Sequence, residues 1–154
     1  MIFEAPKLTK VATVVAATAA LAIALPGTAR ADSHYFQSPS GNIVCAINDG
    51  SENFGFGNLA SAACDISDST YQPPPPLDCS KLGPGTRFNL AAGNPGTIAC
   101  RGGSLRVPVQ PALDYGQTIS AGTITCEDQP WGLKCTDTSS GHFFQIGRGA
   151  YNLG

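Results

Sequence analysis

Gly122 to Thr136 reads GTITCEDQPWGLKCT. On its first arm Ile124 and Cys126 fall on one face, with Thr123, Thr125 and Glu127 on the other. On its second arm Leu133 and Cys135 stand together, opposite Lys134 and Thr136. Strict alternation marks a half-buried strand, because successive side chains point to opposite faces. Between the arms lies DQPWG, where Pro130 and Gly132 are turn formers, so the stretch predicts a β-hairpin with a loop of about four or five residues. Its cysteines then lie opposite each other, close enough to bridge. A strict register through that bridge sets Ile124 across from Asp137, which predicts a bulged or shortened ladder beyond it.

The phrase Gly-x-Ile-x-Cys occurs three times, as GNIVC at Gly41, GTIAC at Gly96 and GTITC at Gly122. It reads as one device used three times: a glycine permits the bend into a strand, an isoleucine fills the core, and a cysteine ties the strand to a neighbour. The irregular spacing of the copies excludes a solenoid. Six cysteines allow about 15 pairings, and sequence alone does not choose among them. Local geometry ranks consecutive pairing first: Cys45 with Cys64, Cys79 with Cys100, and Cys126 with Cys135. IVCAI and AACDI are strand-like around the long polar loop NDGSENFGFGN, and RFNL and TIAC flank the turn AAGNPG. No two cysteines have the close C-x-x-C type of spacing used by structural zinc sites, so no metal and no cofactor is expected.

The N-terminus predicts export. Lys7 and Lys10 precede the apolar run Val11 to Leu25, and Ala29 and Ala31 give the small-residue spacing read by a signal peptidase. The run is short against the ~20 residues of a membrane span. Residues 1–31 therefore read as a cleaved general secretory signal, and 32–154 as a single disulfide-stapled domain that is secreted or associated with the cell envelope. The mature segment carries 6 basic and 10 acidic residues. With no basic stripe, nucleic acid is excluded as a partner, and membrane insertion after signal cleavage is not expected. An even cysteine count in a small exported domain is a disulfide signature. Each bridge contributes roughly 2.5 to 3.5 kcal/mol by chain entropy.

The predicted class is all-β: a small disulfide-stabilised antiparallel sandwich or partly open barrel of roughly seven to nine short strands. Further strands are expected at SLRVPV, an edge strand because of Pro108, and at DYGQTIS and GHFFQIG, where His142, Phe144 and Ile146 share a face. NLASAA, residues 58–63, is the most helix-like segment. YQPPPPLDC interrupts the pattern with Pro73 to Pro76, a stiff connector at 72–77.

Chemistry-bearing patterns are sparse. Ser139 and Ser140 precede His142, but no G-x-S-x-G elbow accompanies them. Asp65 with Asp68, and Glu127 with Asp128, are close acid pairs; adjacent strand residues face opposite ways, which separates the second pair. Trp131, the only tryptophan, falls in the hairpin turn, as a partner anchor if exposed and as ordinary core if folded back. No catalytic residue is assigned. The candidate binding residues are Trp131, Lys134 and His142.

FQSPSGNIVC, near the mature start, resembles the F-x-S-P-S-G-N-I-x-C opening of small exported actinobacterial proteins of unknown function, many of them mycobacterial. CDI at Cys64–Ile66, YG at Tyr115–Gly116 and the C-terminal GLKCTDTSSGHFFQIGRGAYNL extend the likeness, through a G-L-x-C-T and S-G-H motif. The chain departs from that pattern at GHFF and at Gly147–Arg148. The resemblance implies export and a shared cysteine-bearing fold, and no activity. The expected role is a non-catalytic binding or envelope-associated domain, with an unknown protein or an envelope glycan as partner. The alternatives are an extracellular protease inhibitor presenting the Cys126–Cys135 loop with Lys134, or a secreted hydrolase using His142.

Overall fold

The computed structural model describes residues 34–74, 78–79, 81 and 85–154. The expected signal segment at 1–31 and the connector residues 75–77 lie outside them. Ten strands form: β1 His34–Gln37, β2 Ile43–Asn48, β3 Ser61–Ile66, β4 Thr86–Ala91, β5 Thr97–Cys100, β6 Thr118–Ala121, β7 Ile124–Gln129, β8 Gly132–Asp137, β9 Phe143–Ile146 and β10 Tyr151–Leu153. They make two antiparallel five-stranded sheets, each a simple meander, β1 to β5 and β6 to β10. The sheets pack on a shared core as a sandwich and do not close into a barrel. The described residues contain no helix, and so none long and apolar enough to cross a membrane.

The two sheets repeat one plan. In the first, Phe36, Cys45, Cys64, Phe88 and Ile98 lie side by side across all five strands. In the second, Ile119, Cys126, Cys135, Phe144 and Leu153 do the same. Period-two alternation turns both rows inward, where Phe88 and Phe144 meet with ring centroids 6.1 Å apart. Both rings are fully buried, each stabilising the fold by about 2–3 kcal/mol. Directly opposed cysteines bridge strands two and three of each sheet, Cys45 to Cys64 and Cys126 to Cys135, with Cα atoms 4.1 and 4.0 Å apart.

The repeated Gly-x-Ile-x-Cys phrase is this plan showing through, in two of its three copies. Gly41 and Gly122 hold left-handed backbone, φ 70° and 57°, at the turns into β2 and β7. The third copy works differently. Gly96 has no such φ; a Cβ there would stand 2.3 Å from the Phe143 carbonyl oxygen, so glycine permits close contact between the sheets. Its cysteine, Cys100 on β5, bonds to Cys79, which lies outside any strand.

Other expectations change in detail. The β7–β8 ladder runs unbulged from Gln129↔Gly132 through Cys126↔Cys135 to Ile124↔Asp137, leaving Pro130 and Trp131 as a two-residue turn. Gly132 makes this possible: its φ is 140°, and a Cβ would meet the Ile146 carbonyl at 2.0 Å. Of the helix-like NLASAA, residues 61–63 belong to β3, whose alanines pack closely in the middle of the first sheet. SLRVPV forms no strand. It belongs to a strap along the edge of the first sheet, where Gln37 pairs Ala112 in a single parallel bridge. Gln37 N–H donates to the Pro111 carbonyl at 3.0 Å, and Leu113 N–H to that of Gln37 at 2.8 Å. Pro108 has no N–H to offer a ladder. The strap is also tied to Asp65, which accepts two bonds from Arg87 at 2.7 and 2.9 Å and one from Leu105 N–H at 3.3 Å.

Candidate functional site

At one end of the sandwich the β1–β2, β7–β8 and β9–β10 turns meet around a cleft of about 500 Å³. Trp131 and Tyr115, half exposed at 52% and 54%, stand at this cleft, and few other large apolar side chains are so open. Trp131 is held out by the tight turn before Gly132. Tyr115 sits on a second turn, in which Gln117 N–H donates to the Asp114 carbonyl at 3.0 Å. The two turns are tied together by the main chain of Asp128, whose carbonyl accepts from Gly116 N–H at 2.7 Å.

The rest of the cleft lining is polar and braced. Ser38 Oγ accepts from Ile43 N–H at 3.1 Å, shaping the loop before β2. Asn42 and Asp68 exchange two bonds, Asn42 Nδ2 to the Asp68 carbonyl at 2.9 Å and Asp68 N–H to Asn42 Oδ1 at 2.8 Å. Arg148 Nε donates to Asp68 Oδ2 at 2.8 Å. Arg106 donates from Nη2 to the Gly41 carbonyl at 2.8 Å and from Nη1 to Gln37 Oε1 at 3.3 Å.

Asp128 lines the same cleft at only 1% exposure. Its Oδ1 accepts from Gln129 N–H at 3.1 Å, and its Oδ2 has no partner among the described residues. Burial pushes its carboxyl up to about 6, with the Gln129 bond opposing. A second buried aspartate, Asp137, has the opposite surroundings. Its carboxylate accepts from Gly93 N–H at 2.8 Å, from Ser139 N–H and Oγ, and from Ser140 Oγ. Burial raises its carboxyl, but these donors, led by Ser140 and Gly93, outweigh that and hold it well below the usual carboxylate range.

The chain belongs to the DUF6636 family. That family, described as one of unknown function, matches residues 17–153, and so every residue of the cleft. No curated protein and no solved structure matches the chain.

Of the three residues nominated from sequence, this DUF6636 cleft takes in Trp131 alone. Lys134 lies mid-strand on the outer face of β8, its Nζ 4.4 Å above the Phe143 ring. His142 is half-buried just before β9, and its imidazole makes no hydrogen bond among the described residues. Ser139 and Ser140 do neighbour it, yet their hydroxyls donate directly to Asp137, so no serine–histidine–acid relay forms. Among the described residues no three histidines, cysteines or acids gather as a metal site. The cleft thus offers two aromatic surfaces, two guanidinium forks, an amide and a buried carboxyl, which is equipment for stacking and hydrogen bonding. Sequence reading weighed Asp128 only as half of an acid pair with Glu127 and set it aside, and it assigned no role to Arg106 or Arg148. Asp128 could have been found from parity alone: it lies two residues beyond Cys126, on the inward face.

Proposed function

We propose that this DUF6636 protein is an exported, non-catalytic binding domain that holds a cell-envelope glycan in the cleft below Trp131. One observation carries the reading: two half-exposed aromatic rings, Trp131 and Tyr115, stand at one cleft that is also lined by hydrogen-bonded polar groups. Rigid aromatic faces accept the apolar face of a sugar ring, and braced donors and acceptors meet its hydroxyls with little loss of freedom on binding. Three disulfides suit an oxidising compartment outside the cytosol, and a general secretory signal at 1–31 would deliver the chain there.

Retention on isolated envelope material tests this. Trp131→Ala should weaken retention about tenfold or more, as expected for a central aromatic anchor, without changing the melting temperature. Retention equal to that of the unaltered protein would remove the cleft from consideration. Neither the inhibitor nor the hydrolase alternative has a specific observation in its favour, with Lys134 packed on a strand and His142 outside the cleft.

A further inference from the structure

The charges of the cleft narrow its ligand further. Arg148 is matched by Asp68 at 2.8 Å, and Arg87 and Arg101 both face Asp65, at 2.7 and 3.8 Å. Arg106 differs from all of these. Its two bonds go to uncharged acceptors, the Gly41 carbonyl and Gln37 Oε1, so the fork is held in position while no carboxylate among the described residues pairs with its charge. A fixed guanidinium is a preorganised receptor for a carboxylate. Asp128, in the same cleft, keeps one buried oxygen without a partner. Such an atom is costly to leave unsatisfied, and in the acid form a carboxyl can donate to an incoming anion.

We infer that the cleft selects an acidic glycan, with a sugar carboxylate received by the Arg106 fork and the Asp128 carboxylic acid while a ring stacks on Trp131 or Tyr115. This rests on the glycan-binding reading and adds a charge requirement to it.

The surroundings of Asp128 favour a proton in that complex. Across the ladder stands Leu133, and Glu127 on its own strand points to the other face. Asp114 belongs to the turn bonded to the β7 main chain, and Asp68, Arg106 and Arg148 share the cleft. With Asp68 matched to Arg148, Arg106 is the group among the described residues of the cleft that opposes an added negative charge. A bound carboxylate beside Asp128 therefore disfavours ionisation of the aspartate, whose burial already places its carboxyl at about 6. Binding should be level between about pH 4 and 5, where the sugar carboxylate is ionised and Asp128 is not, and weaken roughly tenfold between pH 5 and pH 7.

Trp131 is the only tryptophan, so its fluorescence reports the cleft directly. The oxidised protein is titrated with a hyaluronan tetrasaccharide, which alternates glucuronic acid and N-acetylglucosamine, and with chitotetraose, which carries no acid. The expected result at pH 5 is at least about tenfold tighter binding of the hyaluronan fragment, weakening with rising pH. Asp128→Asn should flatten that pH profile while keeping the preference, and Arg106→Gln should abolish the preference. Equal binding of both sugars overturns the acidic selectivity and leaves the glycan reading standing; binding of neither overturns both. An unaltered pH profile in Asp128→Asn overturns the shared-proton contact. The comparison of the two sugars on the unaltered protein decides the selectivity even if a variant fails to fold.

Discussion

The two sheets lay the same inward row across five strands, and they part company two residues further along. Beyond Cys45 and Cys64 the first sheet places Ile47 and Ile66, both fully buried. At the matching positions beyond Cys126 and Cys135 the second sheet places Asp128 and Asp137, also buried. A carboxylate costs several kcal/mol more to bury than an isoleucine unless it finds donors. Asp137 finds them: its bond to Gly93 joins β8 to the β4–β5 turn, latching one sheet to the other. Asp128 finds one, the Gln129 N–H, and its Oδ2 has no partner among the described residues; it is the one that lines the cleft. Where a repeated plan is broken by a charge, the number of donors around that charge separates a brace from a binding group.

The largest effect should come from cutting the latch. Asp137→Ala leaves the Gly93 amide and two hydroxyls without their acceptor and should lower stability in urea unfolding by about 3 kcal/mol. Acid should act likewise, because a carboxyl depressed in the folded state contributes stability that is present above about pH 4 and lost below it. A variant as stable as the original would show that the latch carries no weight.

Asp128 should respond with the opposite sign. Its carboxyl is raised on folding, to about 6, so it costs no stability below about pH 4 and progressively more as pH climbs through 6. Asp128→Asn should gain about 2 kcal/mol at pH 8 and nothing at pH 3.5, read from denaturant midpoints at the two pH values. A loss at both would mean that the two aspartates play the same role, and the contrast between the sheets would collapse. The smallest effect belongs to the cleft rim. Arg148 and Asp68 form an exposed ion pair, 67% and 63% open, so Arg148→Ala should shift stability by less than about 0.5 kcal/mol. A larger loss would make the rim part of the scaffold.

The β architecture was legible because alternation and cysteine placement agree. IVCAI, AACDI, GTITC and GLKCT each put a cysteine and an aliphatic residue on one face, and those cysteines lie on the strands of the two bridged hairpins. The β7–β8 turn was read too long, since Asp128, Gln129 and Gly132 look like turn formers yet remain in the ladder; only the contact of Gly132 with the Ile146 carbonyl explains how. The strap at 104–109 was read as an edge strand, but it is irregular and held by side chains of Gln110 and Arg106, Gln110 Nε2 donating to the Phe36 carbonyl at 2.7 Å. The cleft was the least legible part. Arg106, Tyr115 and Arg148 come from turns and irregular segments far apart in the chain, where no periodicity marks them, and only the folded sheets bring them around Trp131.

The order of the disulfides has a consequence for how the chain matures. Each pair closes before the next begins, over separations of 19, 21 and 9 residues, so a polypeptide emerging N-terminus first always exposes the right partner for the thiol already waiting. Oxidation in order of emergence would give the native set without reshuffling. Neither of the two hairpin bridges spans the sandwich, so a chain whose core has melted keeps both central hairpins in register, ready to dock again.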